Sequence, residues 1–152
     1  MSQKAVQTYN KLCAILDSFN WKYRRFDDEL YVRYSMQSED LPVEIVFAVS
    51  EKYNTLRVLS FMPFKVPEEK RVEMALAICH LNDRYINGFF DFNVKTGEIT
   101  FRMTNFIGDG ELGKGTVDYL LSLANHSVDK WNDRLFALVQ GYLTLEQFMA
   151  QE

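Results

Sequence analysis

The chain begins with a stretch in which apolar residues recur at steps of three and four. Val6, Tyr9, Cys13 and Leu16 share one side of a helix with this spacing, and the pattern predicts a helix over residues 3–18. The residues between them are mainly polar. The helix is therefore expected to pack one side against the rest of the protein.

The middle of the chain changes to alternation of apolar and polar residues, which is typical of strands with one buried face. The connecting turns are too short for helices, so the strands are expected to form three antiparallel hairpins. An arm over residues 21–26 opens the first hairpin. The apolar positions of the other strands are Leu30, Val32, Tyr34 and Met36; Val43, Ile45, Phe47 and Val49; Leu56 and Val58; Phe90, Phe92 and Val94; and Ile99, Phe101 and Met103. The pattern predicts a single antiparallel sheet with one well-covered face.

The segment "FMPFKVPEEKR", residues 61–71, marks a change from strand to helix. Pro63 cannot donate a ladder hydrogen bond and is expected to end the fourth strand, whereas Pro67 suits the first turn of a helix. This central helix is expected to run from about residue 67 to 86. Gly88, which can adopt a left-handed C-terminal cap, is expected to stop it.

The central helix has two apolar stripes, which together are more apolar surface than a single neighbouring element would cover. The first is Val72, Ala75, Leu76, Cys79 and Ile86, and the second is Met74, Ile78, Leu81 and Tyr85. The sheet would cover one stripe, and a neighbouring helix or a second protomer would cover the other. We assign the second stripe to a dimer interface, with intramolecular packing as the open alternative.

A heptad-like series from about residue 112 predicts a long helix that packs within the subunit. Its positions are Val117, Leu121, Ala124, Val128, Trp131, Leu135 and Leu138. Gly141 would end it, and Thr144 with Gln147 would form a capping box for a short last helix. No linker or repeat interrupts residues 1–152, so the pattern predicts a single α+β domain in the order helix, strands, helix, two strands, helix.

Composition limits the classes of partner. The chain is 47% apolar and 25% charged, as globular proteins are, and its net charge of −4 opposes non-specific binding to nucleic acid or to an anionic membrane. It has no run of about 18 apolar residues, so we expect a cytoplasmic protein that does not span a membrane. Cys13 and Cys79 lie in helical stretches and are expected to be reduced residues of the core.

One segment has nearly the spacing of a phosphate-binding loop: "GDGELGKGT", residues 108–116. Such a loop follows a buried parallel strand, whereas the strand before this segment alternates like a half-exposed antiparallel one, and Asp109 and Glu111 would repel a polyphosphate. His80 and His126 have no Cys or carboxylate at a recognised ligand spacing. We therefore expect no catalytic residue, no metal and no cofactor.

The less apolar face of the strands combines basic and aromatic residues. They are Arg33, Arg57 and Arg102, accompanied by Tyr31 and Phe61. If these residues form one surface, it is able to hold an acidic peptide. The alternative is that the arginines pair across strands with Glu44 and Asp91. The choice depends on which strands are neighbours, and the alternation does not decide it.

Several segments together resemble the YbjN family, which is described as bacterial sensory transduction regulators. They are "VPEEKR" at 66–71, "LND" at 81–83, "GFFDFNVKTGEITFR" at 88–102 and "SVDKWNDRLFALVQGYLTLEQF" at 127–148. The resemblance extends from about residue 26 to 148, and none of its segments is a catalytic signature. It implies a fold like that of type III secretion chaperones, small acidic homodimers that bind an effector segment in extended form.

Two functions from different classes are compatible with these patterns. The first is a non-enzymatic, homodimeric regulatory or chaperone-like protein that binds a partner polypeptide. Phe61, Met62 and Phe64 would be the anchors beside the three arginines. The second is a small-molecule-sensing domain with a pocket between the sheet and the first and last helices, lined by Trp21 and Trp131. Surplus apolar surface without reactive groups favours the first.

Overall fold

The computed structural model describes residues 1–37 and 41–151, which form helices packed on one sheet. The helices are α1 (Gln3–Ser18), α2 (Arg71–Asn82), α3 (Lys114–Gln140) and α4 (Leu145–Met149), with a 3₁₀ turn over Glu68–Lys70. The strands are β1 (Arg24–Phe26), β2 (Tyr31–Gln37), β3 (Pro42–Ser50), β4 (Thr55–Lys65), β5 (Phe89–Phe92) and β6 (Glu98–Phe106).

The six strands form one antiparallel sheet in the order β1-β2-β3-β4-β6-β5. Helices lie before, between and after the strands, so the predicted α+β class and element order are confirmed. The order brings β6 next to β4, and the edge position goes to β5. α2 therefore connects β4 to the far edge of the sheet and packs against β5.

The helices cover one face of the sheet, which we call the inner face. Its residues are the apolar half of the predicted alternation, and among them Val32, Phe47 and Phe101 are fully buried. The predicted position Val94 is an exception, since it lies beyond the end of β5 and is exposed. α1 packs against β3, and α3 packs against β4 and β6. The seven predicted positions of the α3 seam are all buried in this layer. The alternation of the strands thus identifies the sheet side of the core, and the helical periodicity identifies the helix side of the same core.

The corner between β4 and α2 differs from the prediction. β4 continues past Pro63 to Lys65, because the pairing with β6 shifts register between Phe61 and Lys65 and so tolerates a residue without an N–H donor. α2 is also shorter than predicted and ends at Asn82. Gly88 does adopt a positive φ of 86°, but it lies in the loop beyond the helix and does not cap it.

The Asn82 side chain accounts for the early end of α2. Its amide donates to the Phe90 carbonyl at 3.0 Å, and its carbonyl accepts from the Phe90 N–H at 2.7 Å. It therefore takes the place of a neighbouring strand along part of β5. This pairing fixes the edge of the sheet directly beside the last turn of the helix, and it satisfies backbone groups that a sheet edge leaves unpaired.

The other edge of the sheet is fixed to α1 by a polar contact. The Tyr9 hydroxyl donates to Asp27 Oδ1 at 2.8 Å, and Arg25 Nε donates to the same oxygen at 2.8 Å. These two donors, the Tyr9 hydroxyl first, hold the pKa of Asp27 below its ordinary value. β1 covers only part of the predicted arm over residues 21–26, because its ladder with β2 begins at Arg24.

Candidate functional site

The face of the sheet opposite the helices, which we call the open face, carries the basic and aromatic residues together. In register across the strands, Arg33 of β2 is beside Val46, Val46 is beside Leu59, and Leu59 is beside Arg102 of β6. Paired residues of an antiparallel ladder point to the same side of the sheet. The three predicted arginines therefore share this face, since Arg57 lies two residues before Leu59 on β4.

The centre of the open face is apolar. Val46 and Leu59 form its floor, and Phe61 follows Leu59 on the same side of β4. Phe61 is 43% exposed, and Phe89, which pairs with Arg102 on the edge strand, is also 43% exposed. Large apolar side chains that remain half exposed together mark a contact surface more often than isolated ones do. An apolar floor bordered by arginines is therefore the main feature of this face.

One side of this floor holds two arginines on a single aromatic ring. Arg24 and Arg33 are directly paired between β1 and β2, and their guanidinium carbons lie 5.0 and 5.3 Å from the Phe26 ring centre. Phe26 itself stacks on Tyr31, with 4.3 Å between ring centres. Sequence reasoning missed Arg24, because its position on the face depends on the register of β1. The stacking holds both cations on the open face.

Of the predicted pairings of the arginines with Glu44 and Asp91, the one with Asp91 is present. Arg102 Nη2 lies 2.7 Å from Asp91 Oδ2, as the cross-strand alternative expected. Glu44 instead accepts a hydrogen bond from the Ser35 hydroxyl. Arg33 and Arg57 are exposed, and no ion pair involves them among residues 1–37 and 41–151. The basic surface and the paired arginine are thus both real parts of this face.

The three predicted anchors do not act together. Phe61 lies on the open face, but Met62 points to the inner face and is only 7% exposed. Phe64 is half-buried and packs against Phe136 of α3, with ring centres 5.2 Å apart. The prediction for Met62 as a surface anchor is wrong, because neighbouring residues of a strand point to opposite faces. Phe61 is the one of the three on the open face.

The assignment of the two α2 stripes is also corrected. Met74, Ile78 and Leu81, which were assigned to a dimer interface, are buried within the subunit, and Tyr85 packs against the Phe90 and Phe101 rings. The first stripe is the one left at the surface: Val72, Leu76, Cys79 and Ile86 are exposed. Cys79 is therefore not the core residue that was expected, whereas Cys13 is.

The structure gives no support to a phosphate loop at residues 108–116. β6, which precedes it, pairs antiparallel with β4 and β5 and lies inside the sheet, and Lys114 Nζ lies 5.1 Å from the Phe19 ring centre. His80 and His126 are both exposed. In the part of the chain that the structure describes, no three His, Cys, Asp or Glu side chains are close enough to hold a metal ion.

The pocket of the sensing alternative is not formed by its two tryptophans. Trp131 is 2% exposed and packs against Phe148 at 5.8 Å, so it belongs to the core. Trp21 packs edge-on against Tyr34 at 5.2 Å.

Within residues 1–37 and 41–151, no helix combines the length and the hydropathy that crossing a bilayer requires.

Comparison with protein families decides the relationship of the chain. The family model described as "YbjN: Putative bacterial sensory transduction regulator" matches residues 8–137. The chain belongs to the YbjN family. The match begins before residue 26, where the resemblance was expected to start, and it ends before the "LTLEQF" segment. No curated protein matches the chain.

The segments that suggested the YbjN family have structural roles. Arg71 of "VPEEKR" donates through Nε to the Val66 carbonyl at 3.1 Å and through Nη1 to the Lys95 carbonyl at 2.7 Å. The Gly97 carbonyl accepts from the Val66 N–H at 2.8 Å, and Asn93 Oδ1 accepts from the Lys95 N–H at 3.0 Å. These contacts attach the β5–β6 turn to the corner before α2. The YbjN-like segments therefore specify how the hairpin is held.

Proposed function

We propose that this YbjN-family chain is a non-enzymatic regulatory protein that binds a partner polypeptide on the open face of its sheet. The observation that carries the proposal is the apolar floor of Val46 and Leu59 with half-exposed Phe61 and Phe89 beside it. Phe61 and Phe89 each keep 43% of their surface in water, and the removal of that surface from water favours association. The family description as a regulator agrees with a binding role.

The arrangement of elements supports the same proposal by analogy. The order helix, four strands, helix, two strands, helix is compatible with the order that the resemblance to type III secretion chaperones implies. Those chaperones are homodimers that hold another polypeptide in extended form. Fold analogy alone does not assign a function, so the partner-binding role rests on the open face.

We extend the proposal to a homodimer formed by the exposed stripe of α2. Val72 is 78% and Leu76 is 55% exposed, and both border a groove with Val94 of the β5–β6 turn. A two-fold axis beside Leu76 would bury the stripe of one protomer against the same stripe of the other, as isologous interfaces do. The dimer would leave the open face free, because α2 lies on the other side of the sheet.

Photocrosslinking tests the partner-binding role. A photoreactive benzoylphenylalanine at position 61 in bacterial cells should capture a polypeptide, and the same group at Tyr142, which is exposed outside the open face, should not. Leu59→Glu should remove the capture, because it places a charge on the apolar floor. Equal capture from positions 61 and 142, or capture unaffected by Leu59→Glu, contradicts the proposal.

Sedimentation velocity tests the homodimer. The chain should sediment at twice the monomer mass, and Leu76→Glu should convert it to a monomer, because the interface would bury a carboxylate without a partner. Tyr142→Glu, an exposed site away from α2, is the matched control and should remain a dimer. Mild oxidation should also link two copies through Cys79, the exposed cysteine of the two. A monomer at all concentrations would refute the dimer but not the partner site.

A further inference from the structure

We infer that the partner segment on the open face carries two carboxylates four residues apart with an apolar side chain between them. The inference rests on the proposed partner-binding function and adds the chemistry of the partner. Arg33 and Arg102 lie at the two ends of one row across the sheet, with Val46 and Leu59 between them. The row therefore has the order cation, apolar floor, cation.

The dimensions of this row match an extended chain. Arg33 on β2 and Arg102 on β6 are three strand spacings apart, or about 14 Å. Residues i and i+4 of an extended segment are about 13 Å apart, and residues i, i+2 and i+4 point to the same side. A segment crossing the strands along the row would place its first acid at Arg33, its apolar residue between Val46 and Leu59, and its second acid at Arg102.

The open face gathers basic side chains although the chain as a whole is acidic. The chain has a net charge of −4, yet Arg24, Arg33, Arg57 and Arg102 all lie around the apolar floor. Two carboxylates share the face: Asp91, which is paired with Arg102, and Glu44, which is beside Phe61 in register. Arg24 and Arg33 are paired directly across two strands, an arrangement in which like charges destabilise a sheet. A carboxylate between these two guanidiniums would offset that repulsion and accept hydrogen bonds from both.

Arg102 and Arg57 complete the second end of the row. Arg102 is beside Leu59 in the strand register, and its guanidinium is held by Asp91 of β5, with Nη2 2.7 Å from Oδ2. Arg57 is exposed on the same side of β4, two residues from Leu59. A carboxylate at this end would meet one oriented and one unshared guanidinium. Nucleic acid suits the surface less well, because the floor is aliphatic and the chain as a whole is acidic.

An NMR titration with synthetic peptides tests the inference. The probe is a blocked peptide with one copy of Glu-Ser-Leu-Ser-Glu, and the comparison peptides replace Glu by Gln or keep the composition with adjacent glutamates. We expect the first peptide to bind about tenfold more tightly than the Gln peptide at low salt, with the difference shrinking as salt rises. The Nε–H signals of Arg33 and Arg102 should shift on binding.

Matched variants locate the effect. Arg33→Gln and Arg102→Gln should each remove most of the preference for the Glu peptide, whereas Lys11→Gln, the loss of an exposed cation on α1, should leave it unchanged. Backbone spectra confirm that each variant remains folded. A Gln peptide that binds as tightly as the Glu peptide overturns the acidic specificity but leaves the proposed function standing.

Two further outcomes also overturn the inference. The first is an adjacent-glutamate peptide that binds as well as the spaced one, since the match of length would then be irrelevant. The second is an oligothymidylate that binds the open face more tightly than the Glu peptide. Absence of binding by every peptide, together with crosslinking from position 61, would mean that a partner exists but is not of this chemistry.

Discussion

The inner and open faces of the sheet are made by alternate residues of the same strands, and they differ in how tightly their aromatic residues are held. Phe101 on the inner face is fully buried among the Phe90 and Tyr85 rings, whereas Phe61, one strand away, is 43% exposed. The inner face explains why the chain folds. The open face keeps apolar surface that the fold leaves in water, which is why we propose a partner for it.

Paired substitutions at Phe101 and Phe61 give the largest expected difference between the faces. Phe101→Ala should lower the free energy of unfolding by about 3–5 kcal/mol, because it opens a cavity in a packed layer. Phe61→Ala should lower it by less than about 1 kcal/mol, since much of that ring is already in water. Urea unfolding followed by circular dichroism measures both. Similar losses at the two positions would mean that the open face is part of the core.

The sequence predicts the inner face well because a strand with one buried face places every second side chain in the core, so its apolar residues recur with a period of two. The α3 seam and most of the buried strand residues were identified in this way, whereas Met62 was placed on the wrong face and Val94 is exposed. The two stripes of α2 were also found, but their assignment was reversed. Periodicity shows that Leu76 and Leu81 lie on different sides of a helix. It does not show which side meets the sheet, because that depends on where β5 returns.

The open face could be predicted only in part. Alternation places Arg33, Arg57 and Arg102 on the polar side of their strands, but their position on one common surface depends on the order β2-β3-β4-β6. That order requires β6 to enter beside β4, a long-range pairing for which the local pattern has no signal. The Arg24–Arg33 pair was missed because it depends on the register between β1 and β2.

The backbone of the β5–β6 turn should be nearly as sensitive to substitution as the side chains of the inner face. Gly97 has a φ of +80°, and a Cβ there would lie 2.2 Å from the Val66 carbonyl oxygen. Gly97→Ala should therefore cost about 2–3 kcal/mol, from backbone strain and a contact with backbone that cannot move aside. Thermal and urea unfolding measure the loss.

Gly115 is the matched control for this substitution. It lies in the first turn of α3, and a Cβ there would meet nothing within 4 Å. Gly115→Ala should leave the stability unchanged or raise it by about 0.5 kcal/mol, because alanine favours the helix. If Gly97→Ala were as mild as Gly115→Ala, the attachment of the β5–β6 turn to the α2 corner would not be rigid.

The loss of hydrogen bonds beside α2 should also lower the stability more than the loss of a hydrogen bond on the open face. The difference should be smaller than that between the two glycine substitutions. Asn82→Ala removes both bonds to the Phe90 backbone and should cost about 1–2 kcal/mol, since partly buried groups lose their partners. Ser35→Ala, which removes the exposed bond to Glu44, should cost less than about 0.5 kcal/mol. Hydrogen exchange should show faster opening of β5 in the Asn82 variant alone. Equal costs would remove this distinction between the faces.

The smallest expected effect is a pH dependence at the contact between α1 and the β1 edge. The pKa of Asp27 lies below the ordinary value of 3.8, because the Tyr9 hydroxyl and Arg25 stabilise its charged form. Its contribution to stability is therefore present above that ordinary value and is lost as the pH falls through the lower, folded-state pKa. In Tyr9→Phe the first of these donors is gone, so carboxyl NMR should show the pKa of Asp27 moving up toward 3.8 and the acid-dependent loss of stability becoming shallower. An unchanged titration of Asp27 in this variant would mean that Arg25 alone holds the carboxylate and that the Tyr9 hydroxyl does not stabilise its charged form.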